Sequence, residues 1–505
     1  MRRVPLALAL VCAAGALLRF AALDGQSLWY DEAVSAQLLR MDLAGMLDAI
    51  AGSESTPPLY YVLAWLWTQL AGTGEAGLRS LSALLGTATI PLVWALARRL
   101  GGDRAALIAA ALAAANPLLI WFSQEARAYA LLALLGALST LLWLRALQVP
   151  SLRRLLAWSA VAALALATHY FAVFLVVLQA LWLVARVPRW SDRAAALAAP
   201  LVACVALAPL VAEQRSNDGA AFIGQSPLPV RLAQVPKQFL VGYDAPLENL
   251  LAIVAALAML VGIAGLWLLL SGRGEHDGQA TRAAGSQAVP PARTQAALLT
   301  ALATTAFLLP LGAAAVGEDH LIARNVLALL PLVTVLAGAG FATAWSRAPR
   351  VAPAALAAAC ALGLVAVAGV ASEPTMQRDD WRGAARALGP IDGPRVLSAP
   401  GGAIVPLRYY LPHVHMTNQP LIRSAEIDYL ALAPRVRGRA GRRPKPPRPV
   451  TPPRPGPPFE LAERTFAETF TVLRLRARSA QAVPVANVGR DLLGDPSPVL
   501  VVSGP

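Results

Sequence analysis

The sequence predicts an all-α polytopic membrane protein that ends in a small α/β domain, and three observations carry that reading. Of its 505 residues, 57% are hydrophobic and only 14% are charged, against about 25% charged in an average soluble domain. Long Leu/Ala/Val runs follow one another up to residue 371, several of them at or above the ~18 apolar residues that indicate a membrane span. Beyond residue 371 the chain turns hydrophilic. With a mean hydropathy of +0.55, this pattern argues against a large soluble core.

The first run, 4–23, has the outline of a signal peptide. Arg19 interrupts it, no small-residue cleavage motif follows, and many spans come after, so it is read as an uncleaved first helix. Further apolar runs lie at 79–97, 104–121, 127–147, 155–169, 171–187, 194–212, 247–270, 296–316, 322–345 and 352–371. Short loops rich in Arg favour the cytoplasmic side. Arg2 and Arg3, then Arg98, Arg99 and Arg104, then Arg145, Arg153 and Arg154, then Arg186, Arg189 and Arg193 mark inside loops. The polar stretch 271–295 and the pair Arg347 and Arg350 complete the series. The parity holds only if PPLYYVLAWLWTQLAG (57–72) does not cross; being short and rich in Trp and Tyr, it suits a helix lying at the outer interface. The count is then about 11 transmembrane helices in residues 1–371, with the N-terminus inside and the C-terminus outside. Outer loops fall at 24–78, 213–246 and 317–321.

Residues 372–505 form the extracytoplasmic part. DDWRGAARALGP places Trp381, Ala385 and Leu388 on one helical face. PRVLSAP reads as a strand, GGAIVPLRYYL as a helix and FTVLRLRAR as an alternating strand. The Arg/Pro-rich segment 434–458 cannot bury enough apolar surface to fold and reads as a disordered, solvated linker. Its basic residues could also touch anionic membrane lipids or envelope polymer. The net charge of +14 sits largely in the inside loops and this segment, so topology accounts for it and nucleic acid is not an expected partner. Cys12, Cys204 and Cys360 all lie in apolar runs and imply neither a disulfide nor a metal framework.

Four polar motifs interrupt the apolar pattern. LWYDEA places Asp31 and Glu32 after Trp29 and Tyr30, where the first helix leaves the membrane. An acidic pair there is costly and tends to have a task, although Asp31 could equally cap the helix that AVSAQLL begins. FSQEARAYALL brings Glu125, Arg127 and Tyr129 within about one turn. Arg127 suits a phosphate oxygen and Glu125 a cation or an acceptor, the alternative being an ion pair within the loop. In THYF, His169 stands between two apolar runs, where a histidine is more often a hydrogen-bonded structural residue. In GEDHLIARN, Arg324 sits just inside a span and must be paired, with a lipid phosphate or with a carboxylate such as Glu318 or Asp319. No phosphate-cradling loop, dinucleotide fingerprint, zinc-type cluster or nucleophile elbow is present.

Taken in order, LWYDEA, TPPLYY, RLGG, FSQEARAYAL, THYF, IARNVLALLP and DDWRGAARAL resemble bacterial glycosyltransferase family 39 over roughly residues 1–415. That family includes the dolichyl-phosphate-mannose protein mannosyltransferases and the lipid A aminoarabinose transferases, and has the GT-C membrane fold. The resemblance implies an inverting transfer of a sugar from a polyprenyl-phosphate donor to a glycan, lipid or protein acceptor at the outer face of the bacterial cytoplasmic membrane. Asp31 would be the general base and Glu32 its support. Glu125 and Arg127 would lie near the donor phosphate or a bound cation, and Arg324 would hold the carrier phosphate. Tyr30, Tyr129 and His169 complete the candidate substrate-binding residues. Paired carboxylates permit a divalent cation without requiring one. One departure stands out: many relatives carry His before the paired prolines, where this chain has Thr56. The competing classes are a glycolipid transporter or flippase, and a non-catalytic envelope scaffold.

Overall fold

The computed structural model describes residues 3–216, 223–272, 291–389, 394–433, 446–448, 458–490, 492 and 497–502. Most of the Arg/Pro-rich linker expected at 434–458 and most of the inside loop expected at 271–295 lie outside the described residues. In chain order the helices begin with α1 (Arg3–Phe20), α2 (Tyr30–Leu38), α3 (Leu43–Ser53), α4 (Leu59–Ala71), α5 (Glu75–Ala115) and α6 (Pro117–Ser123). There follow α7 (Tyr129–Gln148), α8 (Leu152–Thr168), α9 (Val173–Arg186), α10 (Trp190–Ser216), α11 (Leu228–Val241) and α12 (Glu248–Leu270). The last are α13 (Ala292–Ala315), α14 (Leu330–Arg347), α15 (Val351–Ser372), α16 (Trp381–Leu388), α17 (Ile404–Tyr410) and α18 (Val485–Val488). The strands are β1 (Arg395–Ser398), β2 (Val414–Met416), β3 (Leu421–Leu432), β4 (Glu460–Phe466), β5 (Phe470–Pro484) and β6 (Val499–Val502).

The protein is a multi-pass membrane protein. Every apolar run falls on a helix, and seven helical stretches among the described residues are long and apolar enough to cross a membrane. One of these, α5, covers the expected run 79–97 and the larger part of 104–121, which α6 completes, and it breaks between them at Gly101 and Gly102, the latter at φ +66°, a conformation glycine adopts without penalty. The segment 57–72, expected at the interface, contains α4, and the outer loop expected at 213–246 contains α11. α6 starts where Asn116 accepts the Leu119 N–H (2.9 Å) and Pro117 occupies the first turn, both favourable helix starts.

The chain divides into two compact units. The first comprises Met1–Leu23, Asp42–Gly72 and Gly77–Ala368, and holds most of the membrane helices. Its packing depends on small residues. A Cβ on Gly265 would fall on the carbonyl oxygen of Gly340, and one on Gly340 would fall on that of Gly262, so the backbones of α12 and α14 touch. A Cβ on Gly338 would stand 2.6 Å from the Ala109 methyl and 2.8 Å from the Ala105 carbonyl. Such close approach gives membrane helices dispersion contact where lipid removes the hydrophobic drive. Polar side chains add to it: Gln179 on α9 donates to Thr140 on α7 (3.1 Å) and accepts from the Trp158 indole on α8 (2.9 Å). Arg19, fully buried, donates to the carbonyls of Ala113 (2.9 Å), Ala114 (3.1 Å) and Gly15 (3.0 Å). The first two belong to the last turn of α5, whose carbonyls have no partner within the helix and carry the negative end of its dipole.

The second unit comprises Asp24–Met41, Thr73–Ala76 and Gly369–Pro505. Its sheet has the order β2-β6-β1-β3-β5-β4, with β1 and β3 parallel and the other pairings antiparallel. Both faces are covered. Leu397, Leu430, Val472 and Leu500 pack under Trp381, Ala385 and Leu388 of α16 and Leu407 of α17. Val396, Ile427, Tyr429, Leu473 and Leu475 pack on the opposite face. The three residues expected on one helical face are thus the buried face of α16. FTVLRLRAR is the strand β5, but its burial does not alternate: Phe470–Leu475 are all buried because both faces of the sheet are covered, and Arg474 is paired with Asp428 (2.9 Å) and donates to the Leu388 carbonyl (2.5 Å). Arg395 meets Asp428 from β1 at 3.2 Å.

The glycine contact between α12 and α14 yields a paired test. Gly340→Ala should lower the thermal stability of the detergent-purified protein by about 1–3 kcal/mol through overpacking. Gly312→Ala, whose Cβ meets nothing within 4 Å, should stay within about 1 kcal/mol of wild type. Equal melting temperatures for the two variants would refute this account of the packing.

Candidate functional site

The candidate residues fall into two groups, one in each unit. In the second unit, α2 begins at Tyr30 with Trp29 as its cap residue, and Trp29 makes no side-chain capping bond. Asp31 is therefore inside the first turn and is not the N-cap, which removes the capping alternative. A first helical turn suits acidic side chains electrostatically. Asp31 is half-buried, and its carbonyl accepts the Ser35 hydroxyl at 3.1 Å. Glu32 is wholly buried and faces Arg378 at 3.7 Å. Tyr30 is exposed beside Gly402, where a Cβ would stand 3.2 Å from its ring and where φ is +81°.

In the first unit the turn between α6 and α7 carries Glu125 and Arg127, both buried. The ion pair considered inside this motif is not the principal one, because Arg127 pairs with Glu54 instead. Its two terminal nitrogens lie 2.5 and 2.7 Å from the two carboxylate oxygens of Glu54, a fork-on-fork arrangement. The Tyr61 ring lies 5.9 Å from the Arg127 guanidinium. Thr56 shares a 3.2 Å hydrogen bond with the Tyr61 hydroxyl, and Tyr60 shares one of 3.1 Å with Ser82. The segment bearing Glu54 is pinned by Gln214 of α10, which donates to the carbonyls of Ile50 (3.2 Å) and Thr56 (3.3 Å).

Tyr129 opens α7, with its ring 4.5 Å from that of Phe122 and 5.8 Å from that of His169. His169 ends α8, and its Nδ1 accepts the Phe171 N–H at 3.4 Å, so it has a local structural use. Arg324 is half-buried in the 3-10 turn Ala323–Leu329 ahead of α14. The carboxylates weighed as its partners are engaged elsewhere. Glu318 pairs with Arg215 at 2.6 Å, and Asp319 pairs with Arg231. Those arginines hold both carboxyls below the usual carboxylate range. Among the described residues no group of three or more His, Cys, Asp or Glu side chains is placed to hold a metal ion.

Sequence reasoning missed two buried partners, Glu54 of Arg127 and Arg378 of Glu32. The available signals were positional: Glu54 stands just before TPPLYY and Arg378 just before DDWRG.

Residues 55–212 match the model of the family described as dolichyl-phosphate-mannose-protein mannosyltransferase. That stretch contains TPPLYY, RLGG, FSQEARAYAL and THYF, so the resemblance drawn from the motifs holds there. No curated protein sequence matches the chain. Among solved structures, ArnT from Cupriavidus metallidurans in the apo state is similar at a TM-score of 0.51 and 16% identity, over 80% of this chain and 84% of that one. The oligosaccharyltransferase of Archaeoglobus fulgidus in the apo form gives 0.47 and 14%, over 76% and 57%. The S. cerevisiae protein O-mannosyltransferase Pmt1–Pmt2 complex bound to the sugar donor gives 0.32 and 19%, over 41% and 32%. The ArnT likeness is one of fold, and the GT-C-like architecture expected from the motifs is the architecture observed.

Glu54→Ala leaves the Arg127 guanidinium buried without this carboxylate, a change that costs about 3–5 kcal/mol. The expected result is a clear fall in melting temperature in detergent; an unchanged value would show that the pair contributes nothing to stability.

Proposed function

We propose that the chain is a membrane glycosyltransferase that moves a sugar from a polyprenyl-phosphate donor to an acceptor hydroxyl, with inversion at the anomeric carbon. The site would face the outer side of the bacterial cytoplasmic membrane, with the N-terminus inside and the Gly369–Pro505 part of the second unit outside. The observation that carries this reading is the match of residues 55–212 to a family of dolichyl-phosphate-mannose-protein mannosyltransferases, in a chain that adopts the fold of ArnT. ArnT from Cupriavidus metallidurans has been solved bound to undecaprenyl phosphate, which supports a polyprenyl-phosphate carrier here.

In this mechanism the Asp31 carboxylate takes the proton of the acceptor hydroxyl as the acceptor oxygen bonds to the anomeric carbon. The bond from that carbon to the phosphate oxygen breaks, and the polyprenyl phosphate leaves with the electron pair. The charge that develops on it calls for fixed cationic donors. Arg127, held by Glu54, and Arg324 are the residues assigned to that task. Glu32 supports Asp31, and Tyr30, Glu125, Tyr129 and His169 line the donor and acceptor. No step is routed through a metal ion. A lipid-linked donor also explains a sugar transferase without a nucleotide-binding domain. The acceptor is a glycan, a lipid or a protein.

The detergent-purified full chain is incubated with radiolabelled polyprenyl-phosphate sugars and candidate acceptors, and release of free polyprenyl phosphate is measured. Wild type should release it, whereas Asp31→Asn, folded and membrane-inserted, should lose about 100-fold or more of the rate. Unchanged activity in that variant would remove Asp31 from the mechanism. No release from any donor by well-folded wild type would overturn the transferase reading in favour of a glycolipid transporter.

A further inference from the structure

We propose that Arg378 is a positioning residue for the acidic pair of α2, an inference that rests on the reading of Asp31 and Glu32 as the reactive acids. Glu32 is 0% exposed and Arg378 4% exposed. The Arg378 Nε and a Glu32 carboxylate oxygen lie 3.7 Å apart. A carboxylate taken fully out of water is tolerated only beside compensating charge or hydrogen-bond donors, and Arg378 brings one such charge against the Glu32 carboxylate.

The chain around Arg378 also holds the segment that leads into α2. The Arg378 N–H donates to the Gln26 side-chain oxygen (3.2 Å). The Ser27 hydroxyl donates to the Asp379 carbonyl (2.7 Å) and accepts the Trp381 N–H (3.1 Å). The Leu28 N–H donates to the Tyr410 hydroxyl (2.7 Å), and Arg382 donates to the Asp24 carbonyl (2.8 Å). These contacts, each of which ends on a main-chain group or an uncharged side chain of residues 24–28, already anchor that segment. A buried ion pair is not needed for anchoring, and it carries a desolvation cost. Its distinct effect falls on the side chain it faces, Glu32, and through the shared first turn on Asp31. Holding reactive groups in one geometry is where a catalyst gains most from rigid contacts.

The test uses full-length purified protein with Arg378→Gln and Arg378→Lys, alongside Asp31→Asn. Steady-state transfer is measured together with hydrogen–deuterium exchange of peptides covering residues 24–41 and the strands of the sheet. Arg378→Gln should lower kcat by about tenfold or more while the donor KM stays within about twofold. Arg378→Lys, which keeps the charge, should recover most of that loss. Exchange in Arg378→Gln should rise over 24–41 and remain unchanged in β1 and β5.

A wild-type kcat in Arg378→Gln would overturn the inference. So would equal losses in both variants with faster exchange throughout the sheet, since that pattern marks a purely structural residue. If Asp31→Asn is inactive and Arg378→Gln is not impaired, this inference alone fails; if Asp31→Asn is fully active, the general-base reading fails. Should wild type transfer nothing, the exchange data still decide: unchanged protection of 24–41 in Arg378→Gln removes Arg378 from the role, and loosening confined to 24–41 supports it.

Discussion

The organising constraint of this molecule is that a guanidinium away from water must be met by protein. Lipid offers no hydrogen bonds and a low dielectric, so each buried arginine fixes the relation of two distant chain segments. The protein answers in two ways. Arg19 donates to backbone carbonyls, those of Ala113 and Ala114, and Arg79 donates to that of Leu23. Arg127 and Arg231 end on carboxylates, those of Glu54 and Asp319. Arg19 ties α1 to the last turn of α5, Arg79 ties α5 to the turn after α1, and Arg127 and Arg231 order the connecting segments that hold the candidate site residues of the first unit.

From this follows the layered order around Arg127. The Tyr170 hydroxyl donates to Gln214 at 2.8 Å; Gln214 pins the segment from Ile50 to Thr56, and that segment presents Glu54 to the guanidinium. Thr56 occupies the position where many members of the resembled family carry His. Here its hydroxyl is bonded to Tyr61, whose ring lies beside Arg127.

Much of the helical framework was legible in the sequence, because hydropathy reports burial in lipid residue by residue. The break in α5 was legible as well, since Gly101 and Gly102 separate two apolar runs flanked by arginines. The buried face of α16 followed from periodicity. Pairings over long sequence distances were not legible. Arg127 finds Glu54 at a separation of 73 residues, while Glu125 is only two positions away. No periodicity encodes that preference; it arises from the paths that the intervening helices impose. The same holds for Arg474, which an alternating strand would place toward solvent but which enters the core to meet Asp428 and the end of α16. Asp31 was ambiguous for a different reason: the cap residue and this first-turn acid stand only two positions apart, and the cap conformation of Trp29 separates them.

The composition of the second unit has a practical consequence for anyone recombining relatives of this chain. Hydropathy suggests a clean cut near residue 371, with a soluble module to be exchanged beyond it. That cut would separate Tyr410 from Leu28 and Glu75, and Arg382 from Glu75. Asp24–Met41 and Thr73–Ala76 belong structurally with Gly369–Pro505, so a transplant of the tail has to carry those two short N-terminal pieces with it. The exchangeable module is discontinuous in sequence, and crossovers that respect only the linear order will yield chains whose acidic motif comes from one parent and its buttress from another.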